Sequence, residues 1–342
     1  ETAICLGLTL TLGILTISLP TRLVAGAAPS LPVNGWHTLP NKGLNLRVRA
    51  GVLTGDNLYL GGMFTKTGDG SLTDLGGIVR YDTASSTWHA LPNQGLSSEA
   101  IALAVVDNDL YVGGCFTQTV DGAVLNLGNV ARFDTSAGSW QALPNQGLNH
   151  HIHALAAAGS DLYAGGYFTE SGDGSITNLG HIARYDTVGD SWKALPNQGL
   201  NGNVYVLAVD GDDVYAGGGF YDTGDGAVTN LGHIARYNSA TGTWHALPNQ
   251  GLNDTVTALL VSGSDLYVGG IFTQTGDGTV TNLGGIARLD TVNGTWHALP
   301  NQGLNEQVFS LSEVGDNLYV GGAFDQTGDG SVTDLGYIAR YD

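Results

Sequence analysis

The chain has 342 residues, with 53 glycines, 9 prolines, 13% charged residues and a formal net charge of −19. So acidic a chain lacks the basic footprint that a phosphate backbone requires, which excludes nucleic acid as a partner. Many glycines beside few prolines suit tight turns between short strands rather than collagen or disorder.

The first element in chain order is Ile4 to Leu19, an apolar run of 16 residues followed by Ala25, Gly26 and Ala27. It reads as the core of a secretory signal over residues 1–27, cut after Ala27, although an initiator Met and a basic leader are missing. If retained, the same run would be a membrane anchor, short for a bilayer span, placing the protein in a membrane complex through residues 4–19. Both readings put the chain outside the cytoplasm, secreted or on the cell surface. Residues 28–35, with Pro29 and Pro32, form a linker. Cys5 lies in the leader and Cys115 in the body of the chain, so a cleaved protein would hold one thiol and no internal disulfide, and its core must suffice without staples.

From Trp36 to Asp342 the chain repeats itself as one domain. Trp36, Trp88, Trp140, Trp192, Trp244 and Trp296 recur every 52 residues, and Gly61, Gly113, Gly165, Gly217, Gly269 and Gly321 keep the same step. In the fifth repeat the strand candidates are Val256 to Val261, Leu266 to Phe272, Gly285 to Leu289 and Thr243 to Leu247, separated by Gly, Asn, Asp and Pro punctuation that leaves no room for a helix. Four antiparallel strands per unit and six units predict an all-β, six-bladed β-propeller, each sheet burying its neighbour's face. The last repeat stops after its third strand, whereas the first begins with a Trp36 strand that has no blade ahead of it. That strand is expected to complete the last blade and close the ring.

The run LYVGG at Leu266 to Gly270, IARLD at Ile286 to Asp290 and the pair Thr295 and Trp296 resembles the kelch repeat, a double glycine followed by a spaced tyrosine and tryptophan. Tyr81, Tyr185, Tyr237 and Tyr341 fill the tyrosine position; Phe133 and Leu289 replace it in two repeats. The cadence GLN, LYVGGxF and IARxD is similar also to double-glycine repeats of bacterial surface proteins and fungal cortical marker proteins. The resemblance spans about nine tenths of the chain. It implies the propeller fold and leaves function open, because kelch propellers include binding proteins and the galactose oxidase enzymes.

Residues present in all six repeats are expected to be structural. Arg80, Arg132, Arg184, Arg236, Arg288 and Arg340, most with an acidic residue two positions on, read as ties between strands or blades. Asp69, Asp121, Asp173, Asp225, Asp277 and Asp329 each precede a glycine, and Asp74, Asn126, Asn178, Asn230, Asn282 or Asp334 follows five residues later. Oxygen ligands on a glycine-bent loop make calcium the candidate ion there; a turn closed by the aspartate needs none. No other cofactor is expected.

A single site must come from departures between repeats. The pairs after GLN and the residues two positions on differ in every repeat, giving as candidate ligand-binding residues Arg47, Arg49, Glu99, His150, His151, His153, Asn203, Tyr205, Asp254, Glu306 and Phe309. The three histidines raise a transition-metal reading, set against an exposed polar loop. Arg47, Arg49, Lys42 and Lys66 form one basic sector, and Tyr221 and Asp222 depart from the consensus beside Asp225. Cys115 fills a variable slot after the twin glycines that a small hydrophobe would suit, and the catalytic motifs of hydrolases, zinc proteases and nucleotide enzymes are missing. The function expected is a non-catalytic binding or structural module at the cell surface, holding a protein or glycan on the face made by the GLN and GDG loops. A carbohydrate-active enzyme and a membrane-anchored accessory subunit stay open as alternatives.

Overall fold

The computed structural model describes residues 38–342. The leader, the linker and the Trp36 position lie outside the described residues; Thr38 and Leu39, the last two residues of that expected closing strand, are exposed and outside any strand. Among the described residues no helix is long and apolar enough to cross a membrane.

The architecture is a six-bladed β-propeller. Blade 1 is a meander of Val48–Thr54, Asn57–Gly62, Ile78–Asp82 and Thr87–Ala90, paired in that order. Blades 2 to 5 repeat it with inner strands Ala100–Val106, Ile152–Ala158, Val204–Asp210 and Val256–Ser262. Blade 6 holds three strands, Val308–Val314, Asn317–Gly322 and Ile338–Tyr341. The strands expected in the fifth repeat are present, with one correction: the second runs Asp265–Gly270 and ends before Phe272. Phe272 instead turns into the core and is fully buried, as are Phe64, Phe116, Phe168, Phe220 and Phe324.

The twin glycines serve two separate contacts. A Cβ on the first would strike the next blade's inner strand: Gly165 faces Val204 Cγ1 at 2.5 Å, and Gly113 faces Ile152 Cγ2 at 2.5 Å. A Cβ on the second would strike backbone of its own blade: Gly114 meets the Glu99 carbonyl oxygen at 2.1 Å, Gly166 that of His151 at 2.1 Å and Gly218 that of Asn203 at 2.0 Å. One glycine brings blades together, and the other lets the loop leading into the inner strand cross over the second strand.

Each of the five described tryptophans closes its blade from outside. Trp88 Nε1 donates to the Pro40 carbonyl at 2.9 Å, and Trp140, Trp244 and Trp296 repeat the bond to Pro92, Pro196 and Pro248 at 3.2, 3.1 and 2.9 Å. In blade 3 the buried Trp192 indole N–H has no partner. The repeated arginines tie strands as expected, but not to the acid two residues on. Arg132, Arg184, Arg236 and Arg288 reach across to Asp109, Asp161, Asp213 and Asp265 at the start of the second strand, at 2.5 to 3.3 Å, and Arg80 reaches Asn57 at 3.2 Å. The acids two positions on instead cap the next turn, as Asp82 does by accepting the Ser85 N–H at 2.8 Å. The antiparallel register sets Arg184 opposite Tyr163 and Asp186 opposite Asp161, so Asp161 lies one diagonal step across the strand pair from Arg184, within reach of its long side chain.

The inner strands of blades 1 to 6 pack in series, and the apolar clusters lie between blades: Tyr111 and Val130 of blade 2 join Leu162, Phe168 and Trp192 of blade 3. Among the described residues the inner strands of blades 6 and 1 make no comparable packing. Ile78, Val130, Ile182, Ile234 and Ile286 are at most 1% exposed, while Ile338 at the same position in blade 6 is 58% exposed, with Tyr319 and Tyr341 uncovered beside it. On blade 1, Leu44, Val48 and Leu58 are only partly buried where their counterparts are buried.

Candidate functional site

The loops named by the sequence are knitted together at one end of the strands. In blade 1, Leu44 bridges Thr67, Gly68 N–H donates to the Gly43 carbonyl at 2.9 Å, and Asn45 Oδ1 accepts the N–H groups of Thr65 and Lys66 at 3.0 and 3.2 Å. The Asn149, Asn201, Asn253 and Asn305 side chains repeat the last pair of bonds. The GLN and GDG loops therefore form one fixed surface.

The GDG aspartates are spent inside that surface. Asp69 Oδ1 accepts the Ser71 N–H and the Thr67 and Ser71 hydroxyls at 2.7 to 3.0 Å, and Oδ2 accepts from Asn41 Nδ2 at 3.2 Å. Asp121, Asp173, Asp225, Asp277 and Asp329 receive the same asparagine from their own blade. Asp74, Asn126, Asn178, Asn230, Asn282 and Asp334, the other half of the calcium pattern, all have φ near +60°. Their identity is accounted for by the left-handed backbone, which Asn and Asp tolerate best among residues with a side chain. Among the described residues no group of three or more His, Cys, Asp or Glu is arranged to hold a metal ion.

These donors hold the aspartates below the ordinary carboxylate range, Asp173 at about 2 through the Ser175 hydroxyl and N–H. The folded value lies under the unfolded one, so the contribution of Asp173 is complete above about pH 4 and vanishes as the pH falls toward 2. Acid titration followed by amide exchange should find the Asn145 to Asp173 contact intact at pH 4 and open near pH 2, and Asp173→Asn should remove that step. Opening already at pH 5 would contradict this account.

The inner strand carries the variable residues on a bulge. In every blade the register slips once near the start of this strand: Gly166 pairs with Ile152 and Gly165 with Ala154, leaving His153 as the extra residue. Arg49, Ile101, Tyr205, Thr257 and Phe309 occupy the same bulge in the other blades. A bulged residue has no ladder partner and its side chain is re-aimed, so this column is released from sheet packing and free to vary. The alternation of apolar and polar residues carries no mark of the slip; the lasting signal is the column of unlike residues.

Two groups of variable residues meet. Arg49 Nε contacts Glu99 Oε1 at 2.6 Å across blades 1 and 2, with the side chains 12% and 11% exposed. In blades 3 and 4, His150, His151, His153 and Tyr205 gather around Tyr167. Its ring centroid lies 5.7, 6.3, 4.7 and 6.1 Å from theirs, and His153 meets Tyr205 edge-on at 5.8 Å. The His150 and His151 rings are tilted on one another at 4.3 Å. Burial, assisted by the neighbouring imidazoles and the Arg49 guanidinium, pushes His153 down to about 4; burial also lowers His151. Burial raises the Tyr167 phenol to about 12, so at neutral pH these three groups carry no charge. His153 Nε2 is buried without a hydrogen-bond partner.

Tyr167 was visible in sequence only as one filling of the slot that holds Met63, Cys115, Gly219, Ile271 and Ala323 in other blades. Its N–H donates to the His151 carbonyl at 2.9 Å, a bond that fixes this slot under the lead-in loop. Cys115, in the same slot, is half-buried and is not a free thiol. Asn203, Asp254, Glu306 and Phe309 hold equivalent positions in blades 4 to 6, but among the described residues no hydrogen bond or ring contact joins them to the aromatic group; the Asp254 carboxylate accepts the Thr255 N–H at 2.6 Å. Arg47, Lys42 and Lys66 are exposed on blade 1. Asp222 accepts the Asn230 N–H at 3.1 Å, and Asp225 is lowered by its donors, the reverse of what a tuned carboxylate pair would give. Tyr221 stands edge-on to His233 at 4.4 Å.

No model of a known protein family matches the chain. Over 123 residues, 34% of this chain, it is 36% identical to Polarized growth protein L1 of a Phoma species; over 119 residues, 35% of this chain, it is 33% identical to Polarized growth protein rax2 of Schizosaccharomyces pombe. The matched stretch spans 9% of the length of each. Among solved structures, the extracellular domain of a one-component system from B. thetaiotaomicron is similar over 87% of this chain and 33% of its own, with a TM-score of 0.53 and 15% identity, a likeness of fold. The chain is thus a six-bladed β-propeller with relatives named as polarized growth proteins.

Proposed function

We propose that this chain is a non-catalytic module of the cell surface, built of kelch-like repeats, that holds a protein or glycan partner on its GLN and GDG loop face. The observation that carries the reading is the bulge column: six residues released from sheet pairing at one end of the propeller, unlike in every blade, on a framework that otherwise repeats. A framework held constant beneath a varied rim is what a binding surface needs, and six equal copies of a catalytic group are not. The relatives' names, given for polarized growth, support placing the module at a surface where growth is directed. The outward position agrees with the apolar leader expected over residues 1–27.

The full chain should therefore be retained on intact cells of its source. Changing His150, Tyr205 and Phe309 together to serine should abolish retention, while changing His89 and Lys193 on outer strands should leave it intact. Undiminished retention of the triple variant, with its melting curve preserved, would rule out the loop face.

A further inference from the structure

The motif of Asn followed two positions on by Ser or Thr, with no proline between, occurs twice in the sequence, at Asn253 to Thr255 and at Asn293 to Thr295. The fold treats the two asparagines differently. The Asn253 side chain is spent on the loop face: Oδ1 accepts the Thr273 and Gln274 N–H groups at 2.9 and 3.2 Å, and Nδ2 donates to the Thr273 hydroxyl at 3.3 Å. An asparagine makes the same staple in blades 1, 3, 4 and 6, so the loop accounts for its identity. Asn293 lies in the turn between the third and fourth strands of blade 5, at the end of the third strand remote from the GDG loop. That turn needs only its backbone. The Asn293 N–H donates to Asp290 Oδ1 at 2.8 Å, and Ser85, Ala137, Gly189 and Thr241 make the equivalent bond in blades 1 to 4. Thr87, Ser139, Ser191 and Thr243 place a hydroxyl where Thr295 stands, so a single asparagine at the tip completes the motif in this turn alone. Asn293 and Thr295 are both exposed, and Val292 beside them is 77% exposed.

We infer that Asn293 is an N-glycosylation site, carrying an oligosaccharide through a reducing-end N-acetylglucosamine. The inference rests on the outward placement of the chain proposed above and does not depend on what the loop face holds. The donor is an oligosaccharide joined to a polyprenyl diphosphate. Asn293 Nδ2 forms a bond to C1 of the N-acetylglucosamine, the C1–O bond to the diphosphate breaks, the lipid diphosphate leaves with the electron pair, and the amide nitrogen gives one proton to a base of the transferase. The amide keeps its other N–H, enough for the bond that Nδ2 makes to Asp290 Oδ2 at 2.8 Å. Gly294, between acceptor and hydroxyl, adds no side chain to obstruct the transferase and holds the turn at φ +65°. The bulky, hydrated sugar then stands beside the uncovered Val292.

The test is peptide mapping of the full chain exported by cells of its source, after an endoglycosidase that leaves one N-acetylglucosamine on an occupied asparagine. Such a remnant is not mimicked by deamidation of the Asn293 and Gly294 pair. Asn293 should carry it. Thr295→Ala should abolish it at Asn293, Thr295→Ser should preserve it, and Thr255→Val, which removes the other motif while keeping Asn253, should leave it unchanged. Asn293→Ser, the residue of blade 1 at this turn, should lose the sugar with the melting curve of the deglycosylated protein preserved. An unmodified Asn293 on the exported chain, or a remnant confined to Asn253, overturns the inference and leaves the loop-face reading to stand or fall on cell retention. A chain recovered only from the cytoplasm overturns the inference and the outward placement together.

Discussion

Gly166→Ala should cost blade 3 about 3 kcal/mol or more, an unusual loss for the addition of one methyl group. The new Cβ would stand 2.1 Å from the His151 carbonyl oxygen and 3.0 Å from Ile152 Cα. Both are backbone atoms, one in the lead-in loop and one at the start of the strand paired with the one carrying Gly166, so no side chain can rotate to make room. Relief would require lifting the lead-in loop, which would break the bond from Tyr167 N–H to the His151 carbonyl and displace the bulge that carries His153. Gly174→Ala is the matching control. It sits at φ +70° with open space around it and should cost only about 1 kcal/mol, from backbone strain alone. Urea unfolding with amide exchange resolved by blade would separate the two; equal losses would refute the crossing-loop account of the second glycine.

The second large effect compares the same residue in two blades. Ile286→Ala should cost about 2 to 5 kcal/mol, because the side chain is 1% exposed between blades 5 and 6. Ile338→Ala should cost under about 1 kcal/mol, because 58% of that residue is exposed. Parallel melts of the two variants check this. A cost for Ile338→Ala approaching that of Ile286→Ala would mean that the outer face of blade 6 is covered in solution, as the expected Trp36 strand and a packed seam to blade 1 would do.

Much of the fold was legible because each repeated residue has one structural task. Tryptophan at a fixed step marks the outer strand, the twin glycines mark the end of the second, and Asn or Asp after the GDG turn marks a left-handed residue. Other features were hidden for equally physical reasons. A bulge adds one residue to one strand, and the apolar alternation on either side absorbs it. The arginine partner lies across a strand pair, where sequence distance misleads. Ile338 is spelled like Ile286, and only the presence or absence of a neighbouring blade distinguishes them. The candidate site was half legible: His150, His151, His153 and Tyr205 stood out as departures, whereas Tyr167 at their centre belongs to a slot reached by the crossing of two loops.

Among the described residues every sheet is made of strands consecutive in the chain. Within the described residues no sheet borrows a strand from a distant part of the sequence, so a blade can be pulled away without unthreading another. Under tension along the chain, such an array should yield one unit at a time. Each 52-residue unit would release roughly 180 Å of extended chain at about 3.5 Å per residue. The spacing between rupture events in a pulling experiment would then mirror the spacing between tryptophans, and a protein so built would behave at a surface as a stepwise extensible tether.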